Sequence, residues 1–159
     1  MELRDAALRE ALLTEIAITG RKVRTVFDRL MRARGMTLPR ARLMLHLAKH
    51  QAVNQTELAA VLELEHPTLV RLLDGLERQG LIRRSAVPGD RRAKQVMLTA
   101  EAMPQLREVE QVVATLRAAL LDGIGADELA VTSAVLDRIL RNVEACGGGG
   151  TGAAPKEEP

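Results

Sequence analysis

The segment from Asn54 to Gly80 constrains the fold most. Asn54-Gln55-Thr56-Glu57 has the form of a capping box, with a side-chain acceptor first and Glu three residues on. The short helix behind it ends near Leu62. His66-Pro67 opens another, because proline suits the first helical position, where the amide has no partner. Leu69, Leu72, Leu73 and Leu76 follow at i, i+3, i+4 and i+7, a spacing that buries all four on one face, and Gly80 ends the helix. Two helices joined through Glu63 to His66 make a helix-turn-helix.

Two short runs come next, Leu81 to Ser85 and Lys94 to Leu98. They flank Ala86 to Ala93, which holds Pro88, Gly89 and Asp90. This pattern predicts a β-hairpin with a long loop carrying Arg91 and Arg92.

Long helices flank this centre. Residues 5–33 read as one helix with Leu12, Ile16, Val23, Phe27 and Leu30 at helical spacing, closed by Gly35. A second helix runs from a Thr37 cap to about His50. After the hairpin, Thr99 is expected to cap a fifth helix with the stripe Leu106, Val109, Val113, Leu116 and Leu120. Pro104 is expected to bend its first turn. Gly123 and Gly125 break it, and a sixth helix carries Leu129, Leu136, Ile139 and Val143. Residues 147–159 are rich in glycine and read as a flexible tail.

Phe27 is the one aromatic residue of the chain, so the core must be aliphatic and largely helical. Recognition of single-stranded nucleic acid by stacking on aromatic rings is thereby disfavoured. Charge is divided unevenly. Residues 1–36 sum to +3, 37–99 to +4, 100–146 to −4 and 147–159 to −1. Between positions 78 and 94 six basic side chains face Asp90 alone, which marks a surface for a polyanion.

A helix-turn-helix followed by a basic hairpin is a winged helix. Flanked by long helices, it resembles the MarR family of bacterial transcription regulators. The residues that carry the resemblance are Leu76-Glu77-Arg78-Gln79-Gly80-Leu81-Ile82-Arg83-Arg84, Asp90-Arg91-Arg92-Ala93-Lys94 and Leu98-Thr99. The stretch Leu64 to Arg71 is most similar to the SlyA branch. The expected fold is mainly α with a small β-wing. A winged helix-turn-helix at 37–99 sits between dimerisation helices at 1–36 and 100–146. The resemblance implies a dimeric regulator of double-stranded DNA that reads a pseudo-palindromic operator. It also implies a small aromatic or phenolic anion as effector. Arg21, Lys22, Arg24, Arg40 and Arg42 are cations that could pair with one, although solvated charge is the plainer reading.

Residues near the start of a recognition helix reach base edges in the major groove. Here these are Pro67, Thr68 and Arg71, with Arg78 further along the same face. An arginine can donate twice to a guanine edge, and proline can touch a thymine methyl. The family's wing pattern assigns Arg92, with Arg91 beside it, to the minor groove, and Asp90 to an ion pair that shapes the loop. Arg83, Arg84 and Lys94 are expected to serve as backbone contacts or for solubility.

Other readings differ in the signal or the partner. A winged helix can be a protein-interaction module, which an apolar recognition surface would betray. His46 and His50 are spaced for zinc but read more plainly as packing or surface histidines. Cys146, the one cysteine, could respond to oxidants but reads more plainly as an inert thiol. No catalytic motif is present, so an enzyme is not expected, and no cofactor is called for. The N-terminus lacks the order of a secretory signal and no apolar run suits a membrane, so the chain is expected in the cytoplasm.

Overall fold

The computed structural model describes residues 2–50, 52–87 and 90–147, with the side chains of 2–5, 87, 90–93 and 147 outside the description. In chain order the elements are α1 (Glu2–Arg32), α2 (Leu38–Lys49), β1 (Val53–Asn54), α3 (Gln55–Leu62), α4 (His66–Arg78), β2 (Ile82–Val87), β3 (Asp90–Leu98), α5 (Met103–Leu120) and α6 (Ala126–Gly147). The fold is mainly helical with one small antiparallel sheet, in the order β1-β3-β2. The chain divides into two compact units, Met1–Ala118 and Ala119–Pro159.

The first unit holds the core. Leu43 and Met44 of α2, Leu58 of α3, and Leu69 and Leu73 of α4 are fully buried. Burying each such side chain stabilises the fold by about 1.5–3 kcal/mol. Among the described side chains of α1, those of its last turns reach this core, through Phe27, Leu30 and Met31. Leu8, Leu12, Leu13, Ile18 and Val23 stay exposed in the single chain. In the second unit α6 likewise exposes Leu129, Val131, Val135, Leu136, Leu140 and Val143. No helix among the described residues is long and apolar enough to cross a membrane.

The helix-turn-helix forms as its sequence dictates. The Asn54 side chain accepts the Glu57 amide at 2.7 Å, the expected cap of α3. That helix closes at Glu63 in the left-handed region (φ 55°), and the Leu64 amide returns to the Ala59 carbonyl at 3.0 Å. Leu69, Leu73 and Leu76 of α4 are buried. Leu72, expected with them, is only half-buried, because at 100° per residue it lies on the flank of their stripe. Gly80 supplies φ 71° at the exit, so the Leu81 amide reaches the Leu76 carbonyl at 3.0 Å.

Three expectations are corrected. The loop expected over Ala86 to Ala93 is largely strand, with pairing that continues to Val87 opposite Asp90 past a bulge. Backbone hydrogen bonds hold a hairpin tip without the apolar alternation used to find strands. Thr99 makes no side-chain cap and is followed by a single 3-10 turn, Ala100–Ala102. Because α5 starts only at Met103, Pro104 lies in its first turn and costs no helical bond, so no bend is needed. The strand β1 was not anticipated. Its two residues pair with Val96 and Gln95, and Val53 is buried in the core. Gly147 closes α6, and the rest of the expected tail lies outside the described residues.

Candidate nucleic-acid interface

The exposed face of α4 is opposite its leucines. Pro67, Thr68, Arg71 and Arg78 are all exposed. Measured around the helix at 100° per residue, they fall within an arc of about 100° centred on Arg71. Arg78 is tethered to its own helix, donating from Nε to the Asp74 carbonyl at 3.3 Å. Arg71 has no hydrogen bond or ion pair with another described residue, so its guanidinium is free to donate to a ligand. No large apolar side chain of α4 is exposed.

The wing is β2 and β3. Asp90, Arg91 and Arg92 begin β3 at the far end of the hairpin, next to the Val87–Asp90 pair. Their side chains, and hence the ion pair expected of Asp90, lie outside the described residues. Lys94 stands opposite Ala86 and is exposed.

Arg84 departs from expectation. It is neither a backbone contact nor a solubilising charge, because its side chain is only 18% exposed. The guanidinium bridges two carboxylates of α4, donating to Asp74 Oδ1 at 2.6 Å and from Nε to Glu77 Oε2 at 2.9 Å. Its Nη2 also contacts Glu77 Oε2 closely. The hydrogen bonds from Arg84 hold the Glu77 carboxyl below its ordinary pKa, and Glu77 in turn raises that of Arg84. Nothing in the sequence pairs these residues except their separation across Gly80, which reverses the chain between helix and strand.

A shallow cleft of about 380 Å³ lies where the start of α3, the start of α4 and β3 converge. Asn54, Gln55, Thr56, His66 and Lys94 line it. In the sequence Thr56 and His66 read only as parts of helix starts. The dipoles of helix starts and a lysine both favour an anion there.

The cations considered for an effector are mostly engaged internally. Arg24 pairs with Glu63 at 3.2 Å. Arg40 donates to Gln105 Oε1 at 2.5 Å, and burial lowers its pKa. Arg42 closes the end of α3, donating to the carbonyls of Val61 at 2.9 Å and Leu62 at 3.3 Å. His46 stacks near His50, with ring centroids 4.5 Å apart, and its Nε2 lies 3.9 Å from Glu57 Oε1. Among the described residues no three such side chains gather to hold a metal. Cys146 is exposed.

The MarR family model matches residues 34–93, from just after α1 into the start of β3. The crystal structure of the transcriptional regulator PA3341 is 44% identical over 84% of this chain and 98% of that one, with a TM-score of 0.77. The chain belongs to the MarR family. A MarR family regulator from Silicibacter pomeroyi is 25% identical over 82% of this chain and 87% of that one, at a TM-score of 0.71. A mutant MarR from E. coli complexed with operator DNA shares the fold at a TM-score of 0.68, with 24% identity over 82% of this chain and 94% of that one. MarR proteins are winged-helix transcription regulators rather than enzymes, and the three-stranded sheet beside a helix-turn-helix is that architecture.

Proposed function

We propose that this MarR protein is a dimeric regulator, of the SlyA-like branch, that binds a pseudo-palindromic operator in double-stranded DNA in the cytoplasm. The observation that carries the reading is the face of α4, where a free Arg71 stands between Pro67, Thr68 and Arg78 above a fully buried leucine stripe. A helix supported in this way presents rigid donors to base edges in the major groove. The E. coli relative bound to operator DNA supports it by analogy of fold.

The wing adds Asp90, Arg91 and Arg92, with the arginines entering an A·T-rich minor groove and Asp90 holding the tip. The exposed apolar faces of α1 and α6 support a dimer, since a soluble single chain rarely leaves so many large side chains in water. Residues 1–36 and 100–146 then form the dimerisation region around the winged helix at 37–99. An aromatic or phenolic anion that favours another spacing of the two recognition helices would tune affinity by shifting populations. The polar surface of α4 weighs against a protein-interaction module.

Sedimentation with a short operator duplex tests the assembly. Two protomers per duplex are expected, and one protomer per duplex would overturn the dimeric reading.

A further inference from the structure

The pairing of Arg84 with α4 has a geometry that bulk charge does not explain. In the order β1-β3-β2, β2 is an edge strand, and one side of it has no strand neighbour among the described residues. The Arg84 main-chain amide donates from that strand to Glu77 Oε1 at 3.3 Å. The carboxylate of a recognition-helix residue thus occupies the place of a missing strand partner. The same carboxylate accepts from Arg84 Nε at 2.9 Å, and Asp74, one helical turn earlier, accepts from Nη2 at 2.6 Å. Main chain and side chain of one wing residue are therefore fixed to two points on α4. Charge-assisted bonds of this kind are about twice as strong as neutral ones and impose direction.

We propose that Arg84 is a positioning residue that sets the angle between wing and recognition helix, so that one DNA duplex is met by both at once. This rests on the DNA reading above. Around the helix, Asp74 and Glu77 lie on the flank between the Arg71 face and the buried leucines. The bridge therefore holds the wing beside the DNA-facing surface without occupying it. It also pairs two carboxylates whose unpaired charge would repel phosphates. If the bridge is broken, the hairpin keeps its base, through the pairing of β3 with β1 and the burial of Ile82 and Val96, but loses the two points that fix Arg84 to α4.

Glu77→Gln separates this role from simple electrostatics, because the two accounts differ in sign. Removing a negative charge close to DNA should tighten binding everywhere if charge alone matters. If Arg84 positions the wing, the variant loses contact at the flanks of the site while contact at its centre persists. The measurement is a hydroxyl-radical footprint on a duplex selected from random sequence by the wild-type chain. Protection over the minor-groove flanks is compared with protection over the half-site centres. Asp74→Asn and Arg84→Met serve as further variants, and thermal unfolding shows that each is folded at the assay temperature.

The expected result is loss of flank protection with retained central protection in Glu77→Gln, and the same pattern in the other two. Equal protection in wild type and Glu77→Gln would overturn the proposal. So would a uniform weakening across the site, which a merely structural bridge would give, or a wild-type footprint without flanks. Absence of any footprint from the wild-type chain fails the DNA reading itself and is thereby distinguished from failure of the bridge.

Discussion

The hydroxyl of Thr99 donates to the main-chain carbonyl of Gly80 across 2.6 Å. The Thr99 amide donates to the Leu81 carbonyl at 3.0 Å. The chain leaves α4 at Gly80 and returns from the wing at Thr99, so these two bonds close the base of the hairpin. Replacing Thr99 by Val keeps the shape and removes the hydroxyl donor. A net loss of about 1 kcal/mol is expected, the usual value of one such bond. Denaturant unfolding of Thr99→Val checks this, and an unchanged midpoint would show that the hydroxyl adds nothing at the wing base.

His46 gives the fold a pH dependence. Burial is the chief reason that its pKa lies below the ordinary 6.5, with His50 and Lys49 lowering it further and Glu57 opposing them. A lowered value in the folded state means that the unfolded chain takes up the proton first. Stability from this group is therefore complete above 6.5 and declines as pH falls through the folded value. Unfolding measured at pH 7 and again at pH 5 should show a smaller loss in His46→Gln than in wild type. The same loss in both would exclude His46 as the source.

Arg71→Ala should change specificity more than stability. The side chain is exposed and has no described partner, so its removal leaves the core untouched. A bidentate contact to guanine is worth about 1–3 kcal/mol of discrimination at one base pair. Binding to a set of single-base operator variants should lose its preference at one position per half-site. Preference retained at every position would refute the assignment.

Much of this fold was legible because the informative signals are local. The capping residue Asn54, the leucines of α4 and the stop at Gly80 each act within a few residues, and each stands where the spacing put it. What was missed depends on distance. From the sequence Thr99 reads as the cap of the helix ahead of it, but its hydroxyl points back to donate to the Gly80 carbonyl and accepts no amide of that helix. Arg84 looked like one more basic residue in a basic stretch, since its link to Asp74 and Glu77 exists only after the chain has turned. Arg42 looked available to an anion, yet the short α3 leaves carbonyls that need a donor. Of the interface, the α4 residues were visible in the sequence as one face. Thr56, His66 and Lys94 meet only through the packing of three elements.

The central claim, that two copies of α4 read a symmetric DNA site, is tested most directly by selection. The purified full chain is mixed with genomic fragments at ~150 mM salt, where binding to phosphates alone is already weak, and the retained fragments are sequenced. The account predicts enrichment of a two-fold-symmetric sequence with half-sites about 10 base pairs apart, one turn of the duplex. Retention of no sequence above background by a folded dimer would contradict it.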